Sequence, residues 1–298
     1  MVQRSPGQVL SRNGHRAAVL GWPITHSLSP VLHGAAYRAL GLDSWRYDAH
    51  EVRADGLAGF VAGLGPEWAG LSLTMPLKEA AFDVTDDVSA LARDVGAVNT
   101  LVRRADGGWH ADNTDVYGVQ QALAEAGTGL PQQALVLGSG ATARAVLAAL
   151  AGLGASGVTF AVRGQARPET LAYAARLGLA ADVCGLEDVP GRLGGSPLVV
   201  STLPAGGADE VAAAVAAAGN PGQPDRGPAG PGQAVLLDVV YAGWPTPLAR
   251  AFDDRGAVVV SGFEMLLHQA AAQVRLMTSL EAPVEAMRTA GLAALVRR

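Results

Sequence analysis

Lys78 is the only lysine among 298 residues, and every other member of a basic total of 22 is arginine. Such a bias is mutational or compositional rather than functional. Where a fixed positive charge suffices, arginine serves; a retained ammonium points to a position that needs a releasable proton, which a guanidinium cannot give up near neutrality. A surface lysine kept by chance is the competing reading. Asp115, in Asn113-Thr114-Asp115, stands just before a stretch of helical period, where acids are preferred caps. For it a structural and a functional role are equally open. Ser29 precedes Pro30 and reads as an N-cap followed by proline at the first helical position. Ser27 has no such duty, and the two hydroxyls beside a helix N-terminus would suit a carboxylate ligand.

Gly138-Ser139-Gly140-Ala141-Thr142-Ala143 matches G-x-G-x-x-G/A. It follows an apolar run, Ala134 to Leu137, and opens a helical segment, the context in which two glycines let the backbone turn tightly and approach a pyrophosphate. An ordinary glycine-rich turn is the alternative. An acid after the next strand would bind the 2′-hydroxyl of NAD, and none is there. Instead Arg163 follows Val162 directly and Arg167 comes four residues later, a pair able to clasp a 2′-phosphate. NADP is therefore expected over NAD, with two solvated loop arginines as the bland reading.

The elements that must position these residues alternate along the chain. Ala17 to Leu20 reads as a strand, Pro30 to Leu40 as a helix ended by Gly41, and Ala69 to Leu73 and Ala97 to Val102 as further strands. A helix from Val116 to Ala126 stops at Gly127. The glycine-rich turn then sits inside one complete βαβ unit. Beyond it come an alanine-rich helix at Val211 to Ala218, a Gly/Pro-dense surface loop from Asn220 to Gln233, a strand at Ala234 to Leu237, and helices at Glu264 to Met277 and Val284 to Val296. The main domain boundary is placed near Asp115.

Composition fits this α/β reading. The chain is 49% hydrophobic and 16% charged, long enough for two ordinary domains. Its net charge of −5 offers no general basic footprint for nucleic acid. Cys184 is the only cysteine, which excludes an intrachain disulfide and a Cys-built zinc site and suits a reducing cytoplasm. The six histidines are scattered without HExxH spacing, so no metal is expected. Ala145 to Val162 carries no charge, yet Gly152, Gly154 and Gly157 interrupt it, so helix, turn and buried strand are expected rather than a membrane span. Arg4, Arg12 and Arg16 give the first residues a composition loosely like a transit peptide; a short tail is the favoured reading.

Seven motifs now stand in order: Gly21-Trp-Pro-Ile-Thr-His-Ser-Leu-Ser-Pro30, Leu73-Thr-Met-Pro-Leu-Lys78, Gly96-Ala-Val-Asn-Thr100, Asn113-Thr-Asp115, Gly138-Ser-Gly140, Asp238-Val-Val-Tyr241 with Thr246-Pro-Leu248, and Gly262-Phe-Glu-Met-Leu266 with Gln269. Together they resemble the shikimate/quinate dehydrogenase family over nearly the whole length. The resemblance implies two domains: an N-terminal α/β substrate domain (1–115 and 264–298, the C-terminal helices returning to it) and a Rossmann-type NADP-binding domain (116–263). It implies NADPH-linked interconversion of 3-dehydroshikimate and shikimate in the cleft between them.

By that resemblance Ser27 and Ser29 hold the substrate carboxylate, Thr74, Asn99, Tyr241 and Gln269 orient the ring and its hydroxyls, and Lys78 and Asp115 form the catalytic pair. Gly138, Ser139, Gly140, Ala141, Thr142, Ala143, Arg163, Arg167 and Gly262 fall on the cofactor side. The expected partner is a small molecule, with neither nucleic acid nor membrane, in a monomer or homodimer. Departures from the family pattern are also present: Ser72 stands where Asn is usual, Val162 where Asn is common before the arginine, and Gly243 in place of a frequent proline. Quinate or aminoshikimate is the rival substrate, and a non-catalytic NADP-binding sensor the rival from another class.

Overall fold

The computed structural model describes residues 15–127, 132–218 and 233–297. The arginine-bearing start and all but the last residue of the 220–233 loop lie outside them. The alternating runs build two sheets. The first contains β1 (Arg16–Gly21), β2 (Arg46–Glu51), β3 (Trp68–Leu73), β4 (Thr100–Arg103) and β5 (Trp109–Asp112), in the order β2-β1-β3-β4-β5. Its first three strands are parallel, while β4 is antiparallel to both neighbours.

The second sheet contains β6 (Gln133–Leu137), β7 (Gly157–Val162), β8 (Ala180–Gly185), β9 (Leu198–Ser201), β10 (Val235–Asp238) and β11 (Val258–Ser261). All are parallel, in the order β11-β10-β9-β6-β7-β8. Leu135, Val136, Val199, Val200, Leu236 and Leu237 are fully buried, as strands covered by helices on both faces require. The order reverses between β6 and β9, which is where a doubly wound sheet opens a crevice beyond its strand ends. The glycine-rich turn follows β6 directly, at that point.

Two departures from the sequence expectation have local causes. β4 begins at Thr100 rather than Ala97, because the Val98 N–H donates to the Lys78 carbonyl at 2.7 Å and ties this stretch to the lysine-bearing segment. β2 reads Arg-Tyr-Asp-Ala-His-Glu and shows no apolar run, although its Tyr47 is buried. The charge-free stretch resolves into the end of the Ala141–Gly152 helix, a turn, and β7. Among the described residues no helix is long and apolar enough to cross a membrane.

One long helix serves both cores. Gly262–Thr278 places Phe263, Leu267, Ala270 and Val274 against Leu28, Leu32 and Tyr37 over the first sheet. Its Met265 instead joins Val116, Val119 and Leu123 of the Asp115–Glu125 helix in the core of the second. Each fully buried Leu, Val or Phe contributes about 1.5–3 kcal/mol, so this shared packing fixes the two sheets around a common cleft. The last helix, Val284–Val296, returns Met287 and Ala294 to the first core.

Candidate active site

Lys78 lies in the short helix Leu77–Ala80 after β3, and Asp115 is the first residue of the helix Asp115–Glu125. Thr114, not Asp115, is the N-cap, and its hydroxyl makes no capping bond to the helix N–H groups. Asn113 Oδ1 accepts the Asp115 N–H at 2.9 Å, which leaves the Asp115 carboxylate free to turn into the cleft. There Lys78 Nζ donates to Asp115 Oδ2 at 2.5 Å, and Asn99 Nδ2 donates to Oδ1 at 2.9 Å. Asn99 is itself fixed, since its Oδ1 accepts from the Thr114 N–H and from Thr100 Oγ1, each at 2.8 Å. The Lys78 and Asp115 side chains are only 16% and 7% exposed, so their attraction is screened far less than a surface pair's.

This pair opens on a cavity of about 300 Å³ whose lining includes Ser27, Ser29, Thr74, Lys78, Asp115, Thr142, Tyr241, Gly262 and Gln269. Nine of the residues singled out in the sequence thus converge on one space. Asn99 stands behind it, bonded to Asp115 and 3.3 Å from Gln269 Oε1. The serines differ from the capping expectation. Ser29 is already inside the helix Ser29–Ala39, and Leu28 is the N-cap. Ser27 is the residue with the local duty, because its Oγ accepts the Ser29 N–H at 3.2 Å. The chain turns one residue earlier than the Ser-Pro pair suggests.

Tyr241 is carried by a turn pinned through Asp238, which accepts from the Val240 N–H at 3.2 Å and from Thr246 Oγ1 at 2.7 Å. Burial raises the Asp238 pKa from its ordinary value, against the lowering effect of the hydrogen bonds it accepts. Gly262 begins the long helix against Val239, where an added Cβ would overlap the Val239 backbone. Its place in the motif is therefore a close-packing requirement at the cavity wall.

Three residues of the site had no assigned role in the sequence reading. Ser72 Oγ accepts from Tyr47 Oη at 2.6 Å and donates to Gln273 Oε1 at 2.7 Å, and both Ser72 and Gln273 reach the cavity. Gln273 Nε2 continues to Thr100 Oγ1 at 2.9 Å. Burial pushes the Tyr47 phenol above its ordinary pKa, so it remains a donor. Gln273 lies four residues after Gln269, and that helical spacing was the available signal. Tyr47 sits on the polar strand β2 and gave none.

On the cofactor side, Gly138 has φ +96°, and any side chain there would press on Thr202 Oγ1. Gly140 caps the helix Ala141–Gly152 without a side-chain bond, so the first N–H groups of that helix have no side chain covering them at the cap. Such an end suits a pyrophosphate. Ser139 Oγ accepts the Arg167 N–H at 3.1 Å and its carbonyl accepts from Thr170 Oγ1, so the turn is held to the segment bearing both candidate arginines. The buried Ala143 lets the helix pack close to the sheet. Arg163 and Arg167 are engaged separately: Arg163 Nη2 donates to the Gly207 carbonyl at 3.2 Å, whereas Arg167 Nη1 is 3.7 Å from Glu169 and 3.9 Å from Glu79.

The sequence shows no metal-ligand spacing, yet the fold brings Glu125, Glu264 and His268 together, with one ligand atom of each within 4.8 Å. Glu264 and His268 are four apart on one helix, a pairing the search for HExxH passes over. Arg288 lies on both carboxylates, 2.8 Å from Glu125 Oε2 and in contact with Glu264. His268 Nε2 is 3.1 Å from Glu125 Oε1. The cluster is an ion-paired junction of three helices.

Comparisons with known proteins agree with this fold. Residues 19–101 match a family model described as the shikimate dehydrogenase substrate binding domain, and residues 262–290 one described as the shikimate 5′-dehydrogenase C-terminal domain. The NADP(+) shikimate dehydrogenase of Methylocella silvestris is 40% identical over 86% of this chain and 88% of that protein. The crystal structure of shikimate dehydrogenase from Mycobacterium tuberculosis is similar with a TM-score of 0.81 at 44% identity, covering 94% of this chain and 99% of that one. The Thermus thermophilus shikimate 5-dehydrogenase, solved in complex with NADP(H) and shikimate, gives a TM-score of 0.76 at 32% identity, covering 94% of this chain and all (100%) of that one. With its cleft, its doubly wound second sheet and relatives of this identity along most of its length, the chain belongs to the shikimate dehydrogenase family.

Proposed function

We propose that this chain reduces 3-dehydroshikimate to shikimate reversibly with NADPH, with Lys78 and Asp115 as its catalytic pair. The observation that carries the reading is the Lys78–Asp115 contact, set in one cavity with Ser27, Ser29, Thr74, Tyr241 and Gln269 and bordered by Thr142 of the glycine-rich helix. The cavity's volume lies at the low end of small-ligand sites, about 300–1,000 Å³, which suits a single ring. The paired hydroxyls of Ser27 and Ser29 receive the substrate carboxylate, and Thr74, Tyr241, Gln269 and Asn99 orient the ring hydroxyls.

NADPH, when bound, supplies the hydride. Reduction of a ketone leaves negative charge on its oxygen, and Lys78 Nζ holds the proton that this oxygen takes. Asp115 keeps the ammonium aimed into the cavity, and Asn99 holds Asp115 from behind. In the reverse direction neutral Lys78 accepts the hydroxyl proton. In the cofactor complex Arg163 and Arg167 would meet the 2′-phosphate and Gly138 to Ala143 would receive the pyrophosphate, with Gly262 bordering the cleft.

The working division is 1–115 with 264–298 for substrate and 116–263 for cofactor, and the lone buried Cys184 suits a reducing cytoplasm. The relatives named as NADP(+) shikimate dehydrogenases and the solved complex with NADP(H) and shikimate support this reading over a sensor. Nicotinamide reduction by purified protein with shikimate and NADP tests it. NADP binding without turnover of shikimate or any related hydroxylated ring carboxylate would refute it.

A further inference from the structure

Arg144 stands in the first turn of the Ala141–Gly152 helix, yet its side chain leaves that helix and is 4% exposed. It reaches the first sheet's side of the cleft. Its Nε donates to the Val95 carbonyl at 2.7 Å, and its Nη2 donates to the Gly96 carbonyl at 2.9 Å and to Glu79 Oε1 at 2.7 Å. Val95 ends the helix Ala90–Val95, and Gly96 is its left-handed cap, with φ +68°. Those two carbonyls are the orphan acceptors of a helix end, supplied here from the other sheet's helix.

The segments so gripped are the two that hold Lys78. Glu79 is its neighbour in the helix Leu77–Ala80, and Val98, two residues past Gly96, donates its N–H to the Lys78 carbonyl at 2.7 Å. Asn99, the next residue, holds Asp115. One buried guanidinium therefore connects the helix after the glycine-rich turn with the carboxylate next to the proton donor and with the backbone segment that leads to its hydrogen-bond partner Val98. We propose that Arg144 is a positioning residue that sets the register between the dinucleotide-binding helix and Lys78, without touching substrate. The inference rests on the proton-donor reading of Lys78 given above.

The physical reason is the sensitivity of hydride and proton transfer to placement, where an error of about 1 Å can cost roughly 10²-fold in rate. A planar fork serving two carbonyls and a carboxylate holds three points at once, and a lysine cannot reproduce it. Arg144→Lys keeps the charge and loses the fork. Glu79→Gln keeps both carbonyl bonds and weakens the charged one, together with the looser 3.9 Å contact to Arg167, at a partly exposed site, and provides a folded comparison if Arg144→Lys does not fold.

The test measures single-turnover hydride transfer, the primary deuterium isotope effect with shikimate labelled at the oxidised carbon, and separate affinities for NADP and for shikimate, in wild type, Arg144→Lys, Glu79→Gln and Lys78→Ala. Expected for Arg144→Lys is a fall of about tenfold or more in the hydride step, a raised isotope effect on kcat, and less than about threefold change in either affinity. Glu79→Gln should show the same pattern more weakly. Wild-type hydride transfer in a folded Arg144→Lys, or in Glu79→Gln if only that variant folds, would overturn the inference, as would a loss confined to NADP affinity. If wild type fails to oxidise shikimate, or Lys78→Ala retains its turnover, the underlying reading fails and this inference falls with it.

Discussion

Lys78 and Asn99 hold opposite oxygens of one carboxylate: Asp115 Oδ2 takes the ammonium at 2.5 Å, and Oδ1 takes the amide at 2.9 Å. The pair is thus aimed by a neutral group rather than by a second cation. Replacing Lys78 with Ala removes the proton donor and leaves the hydroxyl-binding residues in place. Turnover should fall by roughly 10²–10⁴ while shikimate affinity changes much less. Steady-state kinetics beside equilibrium binding checks this; unchanged turnover contradicts the role.

Arg163 is exposed, and its Nη2 donates to the Gly207 carbonyl at 3.2 Å, which leaves the outer face of its guanidinium available to a 2′-phosphate. Arg163→Ala should weaken NADP by about 1.5–3 kcal/mol, the worth of a hydrogen bond to a charged group. NAD affinity should barely move. Titration with both cofactors decides the point, and equal losses would remove Arg163 from the phosphate site.

Tyr47 never reaches the lining, but its hydroxyl anchors Ser72 at 2.6 Å, and Ser72 in turn holds Gln273. Tyr47→Phe leaves Ser72 held only through Gln273 and loosens its placement at the cavity wall. The expected result is a several-fold rise in KM for shikimate with kcat nearly kept, and a stability loss of about 1 kcal/mol. A fall in kcat with unchanged KM would place Tyr47 in the chemistry instead.

His33 is fully buried and stacked on Tyr47, with ring centroids 3.9 Å apart. Burial takes its pKa from 6.5 down to about 3. Between those values the unfolded chain binds a proton that the folded chain refuses, so stability is present above pH 6.5 and is lost as pH falls toward 3. The limiting slope is about 1.4 kcal/mol per pH unit for one group. Denaturant melts of wild type and His33→Asn from pH 7 to 4 should diverge in slope, with the variant flatter; parallel slopes would contradict the assignment.

Much of the site was legible because its residues announce themselves by type. A lone lysine in an arginine-only chain and a glycine-rich turn between apolar runs carry their own reasons. Asp115 and the two serines were ambiguous for a physical cause: acids and hydroxyls also cap helices, and only the true start of each helix separates cap from ligand. Tyr47 was illegible because β2 is a polar-looking strand whose burial comes from distant packing. Arg144 was hidden for the same reason, since nothing in Ala141 to Ala145 shows that its side chain crosses to Val95 and Gly96.

The central claim, a proton donor and an NADP site serving one ring substrate, is tested most directly by initial rates of nicotinamide reduction with shikimate or quinate and NADP or NAD in all four combinations. The account predicts a rate with shikimate and NADP exceeding each other combination by at least about tenfold, a difference of about 1.4 kcal/mol. Equal rates with NAD would contradict the specificity assigned to Arg163, equal rates with quinate would contradict the choice of shikimate as substrate, and no rate in any combination would contradict the catalytic reading of Lys78 and Asp115.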